Sequence, residues 1–450
     1  MSLHQLDTDT TIVAPATASG GAMMVIRLSG RNAIDIADRM FVGSKPLKSA
    51  KGYTLHYGDI VNERGETIDD VVVALFRAPH SYTGDDTVEI TIHGSEYITS
   101  EVLRIAIHHG AVMALAGEFT RRAFLAGKLD LSRAEAVADI IASDSRWSHS
   151  IATTQMRGAY SAKLAALRAD LLKLCSLLEL ELDFSEEDVE FADRTQLRTI
   201  LQNVGHEIES LMSSFSLGNI LKNGVNVAII GEPNVGKSTL LNALIGDDRA
   251  MVSDVAGTTR DTIEATTTID GVRYRFVDTA GLRDTDDRLE QMGIDRTHRA
   301  MERAHIILHL TSAESPIFQD IEHSDEQRYI RVINKIDLAT SSDKTDGDIV
   351  KISAKEGIGI DALRTMLGEV VNIGTIDRGS VVVSNMRHYS ALDKAYGALR
   401  QSLEAMDNAT PTDLLSEDIR QILHHLGEIT GEITTTDILQ NIFSKFCIGK

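Results

Sequence analysis

The segment Val225-Asn-Val-Ala-Ile-Ile-Gly-Glu-Pro-Asn-Val-Gly-Lys-Ser-Thr239 constrains this chain more than any other, because an apolar strand runs straight into a glycine-framed turn. The pattern G-x-x-x-x-G-K-[ST] falls on Gly231, Gly236, Lys237 and Ser238. Glycines at both ends let the main chain wrap closely round phosphate groups. The N–H groups of Val235, Gly236, Lys237, Ser238 and Thr239 then converge at a helix start, where anions are favoured. Lys237 supplies a point charge, and the Ser238 hydroxyl suits a Mg²⁺ ion bridging the outer phosphates. Leu240, Leu241 and Leu244 give the following helix an apolar face. A strand, phosphate loop and helix in this order imply an α/β sheet with a nucleoside triphosphate at the carboxyl ends of its strands.

Three further segments fit that sheet. After the Asp270-Gly271 turn, a hairpin signal, Arg273-Tyr-Arg-Phe-Val277 reads as a strand delivering Asp278, Thr279, Ala280 and Gly281 to its carboxyl end. Asp278 can hold Mg²⁺ through water, and Gly281 can offer its N–H to the γ-phosphate. Tyr329-Ile-Arg-Val-Ile333 is a second strand, ending in Asn334, Lys335, Ile336 and Asp337. The Asp337 carboxylate can accept two N–H bonds from a guanine edge, whereas adenine would leave it unpaired, so GTP is selected. A third strand, Ile349-Val-Lys-Ile352, runs into Ser353, Ala354 and Lys355, where a main-chain N–H is expected to meet the guanine carbonyl. Between the phosphate loop and Asp278, the polar stretch Ala256, Gly257, Thr258 and Thr259 reads as a switch loop. Thr259 is its Mg²⁺ ligand, and the nucleotide contacts are expected to include Asn234 and, upstream of the switch, Ser253, Asp254 and Val255.

The rest of the chain sets limits. Its 450 residues suggest about three domains, and 43% hydrophobic with 25% charged residues is ordinary for a globular protein. Two cysteines, Cys175 and Cys447, provide neither a disulfide framework nor a zinc cluster. No apolar run approaches the roughly 20 residues needed to span a bilayer, so no membrane partner and a cytoplasmic location are expected. A formal charge of −21 argues against non-specific adhesion to nucleic acid. The adjacent histidines His108-His109 and His424-His425 fall on expected helices, where neighbouring side chains diverge, so paired metal ligation is not expected there.

The organisation expected is multidomain. Residues 1–122 alternate in strand fashion, as in Ala22–Leu28, Val71–Phe76 and Thr87–Ile92, with helices near Asn32–Arg39 and Glu96–His108, giving an α+β N-terminal domain. Residues 123–221 and 372–450 form an all-α helical domain in two pieces; Leu164, Leu167, Leu171, Leu174 and Leu178 recur at spacings of three and four and line one face. Residues 222–371 form an inserted α/β P-loop GTPase domain of Ras-like type.

Four segments carry a resemblance. They are Thr11–Thr17 with Val25–Gly30, Ser81–Asp86 with Glu89 and His93-Gly94, Gly117–Leu131, and the tail Phe446-Cys-Ile-Gly-Lys450. In these the chain resembles the MnmE/TrmE family of tRNA-modification GTPases; the GTPase segment alone would fit a ribosome-assembly or signalling switch equally well. The resemblance implies a homodimer paired through the N-terminal domain, and a one-carbon donor of the 5-formyl-tetrahydrofolate type contacted by Arg27, Glu89, Lys128 and Lys450. It further implies a flavoprotein partner, MnmG (GidA), in a heterotetramer, and a carboxymethylaminomethyl or aminomethyl-type group added at C5 of the wobble uridine of certain tRNAs. Ahead of the Arg27 strand, where the family has a Gly-Arg-Gly-Gly-like turn, this chain reads Thr17-Ala-Ser-Gly-Gly-Ala-Met-Met24.

Hydrolysis is expected to follow the same family. Ras-like enzymes place a water-orienting Gln directly after the Asp-x-x-Gly segment, and here that position is Leu282, which cannot hydrogen-bond. The resemblance implies a K⁺ ion held by Asn234, Ser253, Val255 and Thr258 where an arginine finger would otherwise act. It also implies that Glu290 orients the water and that two GTPase domains pair across the nucleotide. Glu290 and Lys237 are the catalytic residues of this reading.

Overall fold

The computed structural model describes residues 10–183, 194–246, 265–277, 299–324, 327–338, 349–371, 380–408 and 412–450. The chain divides into two units, one of Met1–Ala138, Gln155–Gly205 and Ala391–Lys450, the other of Asp139–Thr154 and His206–Ser390.

The first unit is built on a seven-stranded sheet. Its strands are β1 (Ile12–Pro15), β2 (Met23–Ser29), β3 (Phe41–Gly43), β4 (Thr54–Val61), β5 (Thr67–Phe76), β6 (Thr87–His93) and β7 (Val112–Met113), in the order β3-β4-β5-β6-β2-β1-β7. Period-two alternation decides what each face carries. On the inner face Ile26 pairs with Ile90 and Leu28 with Val88, against helices Ala33–Met40 and Glu96–His108, in one apolar core. On the outer face the same register sets Arg27 directly opposite Glu89.

The 25-residue helix Ala159–Asp183 belongs to the same unit and packs on helix Thr412–Thr430. Its five leucines at 164, 167, 171, 174 and 178 are all buried, as their spacing requires, each contributing roughly 1.5–3 kcal/mol of burial. Cys175 lies on that seam, 3.8 Å from the Ser416 hydroxyl.

The second unit carries a six-stranded sheet of β8 (Val225–Gly231), β9 (Ala265–Ile269), β10 (Val272–Val277), β11 (Ile306–Ser312), β12 (Arg328–Asn334) and β13 (Ile349–Lys351). The order is β13-β12-β11-β8-β10-β9, parallel throughout except for the β9–β10 hairpin. Asp270 and Gly271 turn that hairpin with φ of 52° and 79°, the left-handed pair of a tight two-residue loop. Helices Lys237–Ile245 and Ile360–Val370 pack on one face of this sheet.

The sequence alone predicts no strand over 306–312, yet β11 lies at the sheet centre between β8 and β12. Its run Ile-Ile-Leu-His-Leu-Thr is buried at every position, so it shows no alternation. Tyr274, fully buried on β10, donates its hydroxyl to the Leu367 carbonyl at 2.8 Å. Tyr274→Phe leaves that carbonyl without its partner and is expected to lower stability by about 1–3 kcal/mol, read as a shift in the urea midpoint at unchanged slope.

Candidate functional site

The strands β8, β12 and β13 are parallel, so their carboxyl ends open on the same edge of the sheet, and the loops that follow them meet there. The phosphate loop leaves β8 at Gly231, where an added Cβ would lie 2.2 Å from the Leu310 carbonyl oxygen of the neighbouring strand. It enters helix Lys237–Ile245 at Gly236, whose φ is 99°. Between the two glycines Asn234 is left-handed, with φ of 62°. A non-glycine residue in that region is uncommon and marks a turn held by its surroundings.

What holds it is Asn334 at the end of β12. Its side-chain Nδ2 donates to the Val235 carbonyl at 2.8 Å, and its Oδ1 accepts the Ala354 N–H at 2.9 Å. One buried amide thus ties the phosphate loop to the Ser353-Ala354-Lys355 loop. Gly236 is closed to any side chain by the same group, since a Cβ there would lie 2.3 Å from Asn334 Nδ2.

The next residue, Lys335, is also left-handed, with φ of 64°. Asp337 follows in a short 3-10 turn and accepts a 2.6 Å bond from the Ser353 hydroxyl, which fixes its carboxylate. The buried Ser353 Oγ in turn accepts the Glu356 N–H at 3.3 Å. Lys355 is exposed beside Glu356.

Lys237 folds back over its own loop, its ammonium donating to the carbonyls of Gly231 and Glu232, both at 2.8 Å. Burial lowers its pKa from the usual lysine value. The loop therefore keeps a cation against main-chain oxygens at the place where phosphate oxygens would compete for it. Ser238 and Thr239 begin the helix directly after it.

Thus Asn234, Val235, Gly236, Lys237, Ser238, Thr239, Asn334, Lys335, Asp337, Ser353, Ala354 and Lys355 are carried by three converging loops. Ser253, Asp254, Val255, Ala256, Gly257, Thr258, Thr259, Asp278, Thr279, Ala280, Gly281, Leu282 and Glu290 lie outside the described residues. Strand β10 ends at Val277, immediately before Asp278.

A second polar cluster sits on the outer face of the seven-stranded sheet. Arg27 donates through Nε and Nη2 to Glu89 Oε1 at 2.8 and 2.7 Å, and through Nη1 to the Gly449 carbonyl at 3.1 Å. Its guanidinium lies between the rings of Tyr82 and Phe119, 5.8 and 5.6 Å from their centroids. The Tyr82 hydroxyl bonds Thr120, and burial raises its pKa. Gly449 fits against β1 because it lacks a side chain; a Cβ would lie 2.0 Å from the Pro15 carbonyl oxygen. Lys450 closes a turn by donating its N–H to the Cys447 carbonyl at 3.3 Å.

Lys128 lies beside the Ser81–Asp86 turn, with its Nζ on the Pro79 carbonyl at 2.6 Å. Arg27 thus touches both Glu89 and the residue before Lys450, while the Lys128 ammonium rests on Pro79 instead. Tyr82 and Phe119 were not singled out individually from sequence, although both lie inside segments whose pattern stands out there.

The family model described as "GTP-binding protein TrmE N-terminus" matches residues 11–128, and that of the "MnmE helical domain" matches residues 131–447. The chain is 48% identical over 452 residues to the tRNA modification GTPase MnmE of Cytophaga hutchinsonii, with 98% of each chain covered. It is 47% identical over 462 residues to that of Bacteroides fragilis, covering 98% of this chain and 99% of the relative. Among solved structures it is similar to Era in complex with MgGDPNP and a segment of 16S ribosomal RNA, at 28% identity and a TM-score of 0.25, over 38% of this chain and 65% of that one.

Gly236→Ala is expected to drive the new methyl into Asn334 and open the brace. Affinity for a fluorescent GTP analogue should fall by more than tenfold, that is by at least about 1.4 kcal/mol, with the far-ultraviolet circular dichroism unchanged.

Proposed function

The chain belongs to the MnmE (TrmE) family of tRNA modification GTPases, and from that premise we propose that it hydrolyses GTP in the service of wobble-uridine modification. The product is a carboxymethylaminomethyl or aminomethyl-type group at C5 of that base in certain tRNAs. The observation that carries this reading is the presence, in one chain, of two unlike polar sites. A switch protein needs only the braced nucleotide loop; the cluster of Arg27, Glu89 and Gly449 has no place in GTP chemistry.

The braced loop fits a guanine nucleotide. Asp337, fixed by Ser353, is set to accept the N–H groups of the guanine edge, and the Ala354–Lys355 main chain borders the same edge. Lys237 and the helix N-terminus draw the phosphates. Mg²⁺ would be held by Ser238 and Thr259, and K⁺ by Asn234, Ser253, Val255 and Thr258; bound there, the two ions supply positive charge for the phosphoryl oxygens in the transition state. Asn234 sits in a left-handed turn inside the phosphate loop, which places it beside the phosphates the ion would bridge. With Leu282 unable to orient water, Glu290 takes that role, and pairing of two GTPase domains excludes bulk solvent.

Arg27, Glu89, Lys128 and Lys450 form the site for a 5-formyl-tetrahydrofolate-type donor. Glu89 meets the amide-like edge of a pterin, and the cations meet the donor's glutamate tail. Pairing of two copies into a homodimer is supported by apolar side chains on the same sheet face. Register places Leu55 opposite Ala74, Ala74 opposite Glu89, and Tyr57 opposite Val72; Leu55 and Tyr57 are 72% and 71% exposed. A flavoprotein of the MnmG type completes the modifying complex as a heterotetramer acting in the cytoplasm, and among the described residues no helix is long and apolar enough to cross a membrane.

Two measurements test this. GTP turnover should be faster in K⁺ than in Na⁺, and Glu290→Ala should lower kcat by about 10²–10⁴-fold while nucleotide affinity holds; equal rates in the two salts would sink the cation assignment. Nucleoside analysis of tRNA from cells lacking the protein should show wobble uridines without the C5 group. Unaltered uridines would move the protein to the class of ribosome-assembly or signalling switches.

A further inference from the structure

Helix Thr412–Thr430 buries Leu415, Ile419, Ile422, Leu426 and Ile429. His424, His425 and Glu428 lie outside that stripe. Adjacent residues on a helix point about 100° apart, so the two imidazoles alone form no chelate. Glu428 alters this, because it is four residues on from one histidine and three from the other, and both spacings face each other across a turn. Its Oε1 lies 3.6 Å from His424 Nε2, and its Oε2 lies 3.2 Å from His425 Nδ1. The two rings stand edge to face, with centroids 5.4 Å apart.

We propose that His424, His425 and Glu428 form a three-ligand site for a divalent transition ion of the Zn²⁺ class on the outer face of this helix. All three ligand atoms lie within 4.8 Å of one another, and this is the one such group among the described residues. Zinc-to-ligand bonds of roughly 2.0–2.2 Å imply ligand atoms about 3.3–3.6 Å apart in a tetrahedron. The two histidine nitrogens stand 3.6 and 3.2 Å from different oxygens of the Glu428 carboxylate, so the carboxylate has to turn and the histidine pair to close for one oxygen and both nitrogens to meet a common ion.

Two imidazoles and one carboxylate favour Zn²⁺, Ni²⁺ or Cu²⁺ over Mg²⁺, which prefers an all-oxygen octahedral shell. On the same helix, Arg420 is one turn back from His424 and donates to Glu179 at 2.6 Å. Arg168 reaches the helix from its packed side, bonded to the Leu423 carbonyl and to Glu432. The other adjacent pair, His108 and His109, has the same ring separation of 5.4 Å but no carboxylate bridging it, so it belongs to no such group.

Three ligands leave coordination positions for water. The site is independent of the GTP and one-carbon sites and stands or falls without them.

The test uses the full chain, stripped of metal and nucleotide, in excess Mg²⁺ at pH 7.5, titrated with Co²⁺ and then with Zn²⁺. One equivalent of Co²⁺ should give the visible d–d bands of a low-coordinate nitrogen and oxygen site, and Zn²⁺ should displace it. His425→Ala and Glu428→Gln should each weaken Zn²⁺ binding by more than about tenfold, since loss of a ligand costs more than loss of an outer-shell partner. Circular dichroism of the metal-free variants should match the parent, separating ligand loss from misfolding. Absence of the bands, variants that bind as the parent does, or a thiolate-to-cobalt charge-transfer band marking Cys447 as the ligand would each overturn the assignment.

Discussion

The nucleotide site depends on one buried carboxamide. Asn334 is 2% exposed, and both ends of its amide are engaged, one on the phosphate loop and the other on the loop after β13. A buried donor or acceptor left unpaired costs about 1–3 kcal/mol, so the two loops cannot part without a penalty at each end. The same amide forbids a side chain at Gly236, which leaves the main chain able to approach phosphate there. The glycine and the asparagine, 98 residues apart in sequence, are two halves of one fit.

The second polar site rests on parity rather than on a loop. Since Ile26 and Leu28 face the core, Arg27 must face outward, and antiparallel register puts Glu89 opposite it. Their side chains are only 15% and 28% exposed, because aromatic rings and the chain's end cover them. Removing Glu89 would leave the largely covered Arg27 guanidinium with the Gly449 carbonyl in place of a carboxylate, so Glu89→Ala is expected to cost more than loss of a fully exposed ion pair. The bond from Arg27 to the Gly449 carbonyl spans 422 residues and makes this corner of the sheet dependent on the tail of the chain.

Much of this was legible in the sequence, for a physical reason in each case. The phosphate loop announces itself because only glycine tolerates φ of 144° at Gly231 and 99° at Gly236. Strands β2, β5 and β6 show period two because one face is packed, and the leucines of helix Ala159–Asp183 show helical period for the same reason. Strand β11 hid because burial on both faces erases the pattern that reveals strands. Asn334 was read as a nucleotide contact, and nothing in its local sequence says that its amide braces two loops, since both partners come from distant segments. Adjacency argues against a chelate at His424 and His425; the site proposed for them rests on a carboxylate three residues after the second, a signal that lies in the sequence.

The lysines separate by the partners on which they rest. Lys237 and Lys128, both assigned to anionic ligands, lie against main-chain carbonyls, at 2.8 Å and 2.6 Å. Lys222 is bound to the carboxylate of Asp139 at 2.7 Å. A neutral carbonyl holds an ammonium in place without cancelling its charge, so an arriving phosphate or carboxylate gains the full attraction of the cation. A carboxylate partner would first have to be displaced, or would repel the ligand from close range. In a chain whose formal charge is −21, Lys237 and Lys128 can thus meet an anion without first giving up a carboxylate partner, whereas Arg27 meets its ligand as half of a pair with Glu89.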